Sequence, residues 1–92
     1  MRAVMLFRSG GRVPKAKGIA EQLRTVESVT GAYAVFGRFD IVAFLEAKDV
    51  KALFRAVSDA TKLEGIMSSE TLIEVNVNDE SRDYGKGPPF SS

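Results

Sequence analysis

The sequence predicts a single α+β domain of the ferredoxin-like type, with the element order βαββαβ, a four-stranded antiparallel sheet and both helices on one face of that sheet. Three observations support this prediction. The runs Ala3–Phe7 and Ile41–Leu45 are apolar at every position, as in buried strands. Two further segments have the apolar spacing of amphipathic helices. Finally, a chain of 92 residues is most naturally one domain.

The first half of the chain predicts a strand, a helix and a second strand. Ala3–Phe7 is followed by Gly10 and Gly11, which indicate a turn. A helix is predicted over residues 14–24, because Pro14 suits a first helical position and apolar residues then recur at intervals of three and four. Residues 28–36 predict the second strand. The apolar positions of the first helix are Ala16, Ile19, Ala20 and Leu23.

The second half has a similar order. The turn Gly37–Asp40 leads into Ile41–Leu45, the third strand. Asp49 is predicted to be the N-cap of the second helix, and Gly65 is predicted to end it as the C′ residue. Residues 68–77 alternate between polar and apolar, which predicts a fourth strand. The predicted core stripe of the second helix is Val50, Leu53, Phe54, Val57 and Ala60.

The predicted sheet leaves one apolar face without a cover. Right-handed crossovers place the first and third strands in the centre, whereas the outer strands carry Thr30, Glu70 and Glu74. Both helices cover the same face, so the other face, roughly 300 Å² in area, stays open. Leaving that area in water forgoes about 7 kcal/mol at about 25 cal/mol per Å². We therefore expect two copies to stack their sheets in a symmetric dimer, a dimeric α+β barrel.

The composition argues against several classes of function. The chain has 13 Lys and Arg against 12 Asp and Glu, a net charge of +1, so neither nucleic acid nor an anionic membrane attracts it strongly. It has no Cys and no His, which excludes disulfides and thiolate catalysis and removes the commonest general base and metal ligand. We expect no metal and no cofactor. No segment has the pattern of a signal peptide or a membrane span, so a cytoplasmic location is expected.

The predicted domain covers residues 1–77. Residues 78–92 are polar and rich in Gly, Pro and Ser, which predicts a C-terminal tail.

Residues 32–42, Ala-Tyr-Ala-Val-Phe-Gly-Arg-Phe-Asp-Ile-Val, resemble the valine-X-Gly-X-aromatic-Asp signature of one family. This is the effector-binding domain, also called the RAM domain, of the leucine-responsive regulatory protein/asparagine-operon regulator (Lrp/AsnC) family. Residues 48–53 and 65–71 also resemble that domain, and the resemblance extends over residues 1–77. Full-length members carry an N-terminal helix-turn-helix domain, whereas this chain begins at the first strand of the effector domain. It therefore resembles the stand-alone RAM proteins, and no direct DNA binding is expected.

The resemblance implies sheet-to-sheet dimers, rings of dimers and amino-acid-type effectors bound between dimers. It places the effector site at the turn formed by Gly37, Arg38, Phe39 and Asp40, together with Ser69 and Thr71. An amino acid could place its ammonium group against Asp40 and its carboxylate against the backbone N–H groups of the turn. Ser69 and Thr71 are two positions apart, so on a strand they face the same side. The alternative is purely structural: Asp40 stabilises its turn, and the Ser/Thr pair is ordinary strand sequence.

The leading hypothesis is an amino-acid-binding regulatory module that senses its effector by oligomer assembly. It would modulate transcription indirectly, by mixed assembly with a full-length Lrp/AsnC regulator. The alternatives are an adaptor oligomer without a ligand and a small cofactor-free enzyme of the dimeric α+β barrel type. Catalysis is not expected, because monooxygenases on this architecture often use His or Trp and the chain has neither. The basic Gly-rich turn of residues 9–12 is a further candidate for phosphate, but it lacks P-loop spacing and is more simply a solvated loop.

Overall fold

The computed structural model describes residues 1–75, which form one four-stranded sheet and two helices. The sheet has the strand order β2-β3-β1-β4, and every neighbouring pair is antiparallel. The predicted ferredoxin-like fold, with the first and third strands in the centre, is confirmed. The predicted domain end at residue 77 and the tail 78–92 lie outside the described residues. The elements are β1 (Arg2–Arg8), α1 (Val13–Leu23), β2 (Val29–Ala34), β3 (Ile41–Glu46), α2 (Val50–Thr61) and β4 (Ser68–Ile73).

The core lies between the sheet and the two helices. The buried side of the sheet carries the directly paired residues Met5 and Ala43, and Phe7 and Ile41. Helix α1 packs chiefly on β2 and β3, whereas α2 packs on β1 and β3. The four predicted apolar positions of α1 are all buried. Much of the core is alanine, so the helices approach the sheet closely but bury few large side chains.

The outward side of α2 differs from the prediction. Val50 and Phe54 are 46% and 56% exposed and do not belong to the core. The buried stripe is Leu53, Ala56 and Ala60, because three- and four-residue steps from Leu53 follow the side of the helix that faces the sheet. The helix therefore presents apolar residues on more than one side.

The helix ends confirm one predicted cap and contradict the other. Asp49 is the N-cap of α2, and its Oδ1 accepts a 2.8 Å hydrogen bond from the backbone N–H of Ala52. The assignment of Gly65 as C′ is wrong, because α2 ends at Thr61 with Lys62 as a right-handed C-cap. Gly65 does have a positive φ of 98°, but it lies further along the loop, where a β-carbon would come within 3.1 Å of Ile19 Cδ1. Glycine is thus required by the loop's passage over α1.

The remaining bounds differ by a few residues. Helix α1 begins one residue earlier than predicted, which makes Pro14 its second residue. Strands β2 and β4 end at Ala34 and Ile73 and are shorter than the alternating pattern suggested. Differences of one or two residues are common at the ends of helices and strands, where the regular backbone hydrogen bonds stop.

Candidate functional site

A cleft of about 480 Å³ opens at the end of the sheet where β1 ends and β3 begins. Its walls come from the β1–α1 loop and the start of α1, residues 9–17, and from the end of β2 and the following turn, residues 34–40. Since β1 and β3 are antiparallel neighbours, the chain leaving β1 passes beside the chain entering β3. The sheet pairing therefore creates the cleft.

Asp40 joins the two walls of this cleft. Its carboxylate oxygen Oδ2 accepts hydrogen bonds from the backbone N–H of Ser9 at 2.9 Å and of Gly10 at 3.2 Å. Its own backbone N–H donates to the carbonyl of Phe7, and its carbonyl accepts from the N–H of Val35, both at 2.8 Å. The side chain thus fixes the neighbouring loop while it also lines the cleft.

The same contacts control the charge of Asp40. The backbone N–H of Ser9, and after it that of Gly10, lower the pKa of the Asp40 carboxyl, because both hydrogen bonds favour the ionised form. Burial acts in the opposite direction but is outweighed. A negative charge therefore lies in the cleft at neutral pH.

The other turn residues of the predicted site differ in their placement. Gly37 lines the cleft, and its φ of 137° lies in a region that favours glycine. A β-carbon at Gly37 would meet no atom within 4 Å, so the requirement is conformational and not one of space. Arg38 is exposed and Phe39 half-buried, and neither lines the cleft.

Ser69 and Thr71 lie on the far side of β1 from Asp40. They pair with Phe7 and Met5, whose side chains are buried under the helices, so both hydroxyls are on the helix side of the sheet. Strands are spaced about 4.8 Å apart, so two strand spacings, roughly 10 Å, separate Ser69 from β3. Within one chain, the described residues bring Gly37 and Asp40 to one cleft and leave the Ser/Thr pair outside it.

Several residues of the cleft lie outside the predicted effector site, among them Arg12, Lys17 and Phe36; of these, Arg12 belongs to the basic Gly-rich turn that the sequence suggested as a candidate for phosphate. Arg12 is the N-cap residue of α1, and Lys17 follows Val13 by one helical turn on the same side of the helix. Phe36 is 90% exposed at the edge of the cleft. The predicted strand order already contained the necessary signal, because it places the end of β1 beside the start of β3.

The helix-free side of the sheet, called the open face below, is a second candidate surface. Its central cross-strand rows are Tyr33, Val42 and Leu6, and then Phe44, Val4 and Leu72. A shallow groove of about 550 Å³ runs over the second row.

Charged side chains border this apolar centre at one end. Arg2 donates two hydrogen bonds to the Glu74 carboxylate, at 2.7 and 3.2 Å, and Glu46 is the cross-strand partner of Arg2. The hydrogen bonds between Arg2 and Glu74 lower the pKa of Glu74 and raise that of Arg2. An apolar centre with a polar rim is the usual arrangement of a protein–protein interface.

Tyr33 is held in place on the open face. Its ring meets that of Phe44 edge-on, with centroids 6.3 Å apart, and lies over Gly31, where a β-carbon would be 3.0 Å from the tyrosine hydroxyl. The guanidinium of Arg24 stacks on the other part of the ring, 5.5 Å from its centroid, while its Nε donates to the carbonyl of Ala32 at 3.0 Å. These contacts hold the Tyr33 ring in place on the open face.

Neither a metal cluster nor a membrane helix occurs in the part of the chain that the structure describes. Residues 1–75 contain no group of three His, Cys, Asp or Glu side chains that could hold a metal ion. In the same range, no helix has the length and apolar character needed to cross a bilayer.

Solved structures with the same architecture come from bacteria and archaea. TTHA0845 of Thermus thermophilus is 30% identical, with a TM-score of 0.71 over 82% of this chain and 92% of that chain. The hypothetical protein PHS023 of Pyrococcus horikoshii is 23% identical, with a TM-score of 0.73 over 84% of this chain and 92% of its own. AsnC of E. coli is 20% identical, with a TM-score of 0.69, and the match covers 82% of this chain but only 50% of AsnC.

The family comparison agrees with the fold and with the turn signature. A search of curated proteins found no significant match. The model of the Lrp/AsnC ligand-binding domain matches residues 3–83, which include all of the βαββαβ unit except its first residue, and the turn that carries Gly37 and Asp40. The chain therefore belongs to the Lrp/AsnC ligand-binding domain family.

Proposed function

We propose that this protein is an amino-acid-binding regulatory module of the Lrp/AsnC type, with its effector site in the cleft beside Asp40. The observation that carries the proposal is the placement of an ionised carboxylate, anchored by the Ser9 and Gly10 N–H groups, in a cleft between two loops. Such a carboxylate is suited to an ammonium group. The family match supports a ligand-binding role for the domain as a whole.

The open face is the proposed dimer interface. Tyr33 and Leu72, on the two edge strands, are each 51% exposed, and Phe44, on the central strand β3, is 43% exposed. Large apolar patches of this kind are uncommon on monomers. Two copies that stack these faces would form the dimeric α+β barrel.

The second part of the site is proposed to come from another subunit. Ser69 and Thr71 are separated from the cleft by β1 and do not line it. If dimers assemble further into a ring, a neighbouring dimer can supply these hydroxyls. Ligand binding and assembly would then be coupled, because the complete site would exist only between dimers.

Regulation of transcription is proposed to be indirect, through mixed assembly with a full-length regulator of the same family. The balanced charge of the chain supports an effect through protein contacts and not through DNA phosphates. Affinity purification from the source cell, followed by mass spectrometry, tests this point. Recovery of only homomeric complexes would contradict it.

The direct test of effector binding is a thermal-shift and light-scattering panel of the twenty amino acids. A ligand at 100 times its dissociation constant adds about 2.7 kcal/mol to the free energy of unfolding. For a domain of this size that raises the Tm by roughly 10 °C or more. We expect a few amino acids to produce this shift together with a change in oligomer mass.

Two matched variants make the panel specific. Asp40→Asn removes the charge in the cleft and should abolish the ligand-induced shift. Asp59→Asn removes a charge from the exposed surface of α2 and should keep it. No shift with any amino acid, combined with an unchanged oligomer mass, would contradict the proposal and favour an adaptor without a ligand.

A further inference from the structure

The two walls of the cleft carry opposite charges. The α1 wall contributes the guanidinium of Arg12 and the ammonium of Lys17, and the turn wall contributes the carboxylate of Asp40. The formal charge of the lining is therefore positive by one unit. A ligand without an anionic group would leave both cations facing it without compensation.

Between these charges the lining is mostly apolar. Val13 and Ala16 stand on the helix, and Ala34, Val35 and Phe36 on the other wall. Val13 and Val35 are 46% and 39% exposed, so they keep apolar surface available to a bound molecule. This apolar part of the lining suits an apolar side chain.

The loop amides closest to Asp40 are already engaged. The N–H groups of Ser9 and Gly10 both donate to Asp40 Oδ2, and the Ser9 hydroxyl donates to the carbonyl of Gly10 at 3.2 Å. These donors are not available to a ligand carboxylate. The side chain of Arg38, next to Gly37 in the turn, does not line the cleft.

We infer that Arg12 and Lys17 bind the carboxylate of the ligand, and that the ligand is an amino acid with an apolar side chain. This inference rests on the proposed function, and it adds the orientation and the class of the ligand. The ammonium group lies against Asp40, and the apolar side chain covers Val13 and Val35. Hydrogen bonds from both cations to one carboxylate are charge-assisted.

Calorimetric titration of the full chain tests the inference with leucine, methionine and phenylalanine as probes. We expect Arg12→Gln and Lys17→Gln each to weaken binding of these amino acids about ten- to a hundredfold, as expected for a lost charged hydrogen bond. Leucinamide lacks the carboxylate, so its weaker affinity should change by less than about twofold in the same variants, because the charged contact is already absent.

The complementary probe is 4-methylpentanoate, which keeps the carboxylate of leucine and lacks the ammonium group. Its affinity should fall in the Arg12 and Lys17 variants and should not fall in Asp40→Asn, which removes a negative charge from the cleft. The control is Arg38→Gln, which removes a charge beside the cleft without changing its lining. Arg12 makes no side-chain cap hydrogen bond to α1, so its replacement does not disturb the helix start.

Each outcome separates the inference from the proposed function. If leucine binds and leucinamide loses as much affinity as leucine in the Arg12 and Lys17 variants, the carboxylate assignment is overturned while effector binding stands. If the apolar amino acids fail but a polar or charged amino acid binds, the ligand class is overturned. The ligand class would also be overturned if inorganic phosphate bound as tightly as the amino acids. If no amino acid binds at all, the proposed function itself is contradicted.

Discussion

Replacement of Phe44 by lysine tests whether the open face forms the dimer. Phe44 lies in the middle of that face and is 43% exposed. A phenylalanine side chain can bury about 200 Å², so roughly 85 Å² remains uncovered on each subunit. At about 25 cal/mol per Å², burial of this area contributes about 2 kcal/mol per subunit. A symmetric dimer buries this area once on each subunit, so its loss should weaken dimerisation by about 4 kcal/mol. This corresponds to a dimer Kd higher by about 1,000-fold.

Lysine should weaken the dimer by at least this factor, because its ammonium must also lose water in the contact. Sedimentation equilibrium from about 0.1 to 100 μM measures the change, a range that spans ordinary interface affinities. The variant should stay folded, with a lower Tm, since the edge contact with Tyr33 contributes about 0.5–1.5 kcal/mol. Circular dichroism checks this.

The matched control is Phe54→Lys. Phe54 is more exposed than Phe44, at 56%, but stands on α2 and not on the open face. We expect its dimer Kd to equal that of the wild type. The reasoning would be refuted if Phe44→Lys kept the wild-type Kd, if Phe54→Lys weakened the dimer equally, or if the wild-type chain were monomeric throughout the range.

Three further predictions concern the stability of the fold and are checked by chemical or thermal unfolding. Because the pKa of Asp40 is lower in the folded state, its carboxylate contributes fully to the free energy of unfolding above the unfolded pKa of about 3.9, and this contribution is lost as the pH falls through the lower folded pKa. The stability difference between wild type and Asp40→Asn should therefore shrink below about pH 4. A difference that stays constant with pH would contradict this account. Asp49→Ala removes the N-cap hydrogen bond of α2 and should cost about 1 kcal/mol, seen as a Tm lower by roughly 4–8 °C. Gly10→Ala should destabilise the fold by about 1–3 kcal/mol, because the φ of 67° is strained for a residue with a β-carbon. Gly18→Ala, in open space on α1, should stabilise it by about 0.5–1 kcal/mol. Stability changes of the same sign in the two variants would count against the reasoning.

The elements whose formation depends on neighbouring residues were predictable from sequence. Asp49 caps α2 through an N–H three residues away, and the stripe of α1 repeats at helical spacing. The strand order also followed, because Ala3–Phe7 and Ile41–Leu45 are apolar at every position and thus suited to the centre of a sheet, whereas the outer strands carry Thr30, Glu70 and Glu74. Gly65 was wrongly predicted as the C′ residue of α2, because its place in the loop depends on the passage of that loop over Ile19 of α1, which no local pattern contains.

The site was predictable only in part, for a related reason. The signature Gly37–Asp40 marked one wall of the cleft, whereas Arg12 and Lys17 on the other wall are far away in sequence. The partners of Asp40 are the amides of Ser9 and Gly10, which are 31 and 30 positions away. Ser69 and Thr71 share a face of β4, as expected from their spacing, but the sheet order separates them from the cleft.

The sequence by itself determined the fold class, the central strands and the presence of an apolar face without helices, since periodicity and apolar content act along the chain. Only the tertiary structure decided that Asp40 binds the β1–α1 loop, that basic side chains of α1 stand opposite it, and that Val50 and Phe54 point outward. These features depend on which distant backbone groups the sheet brings within hydrogen-bonding distance, and on the rotation of each helix over the sheet. Hydrogen bonds and packing act only at short range, so such contacts exist only once the chain has folded.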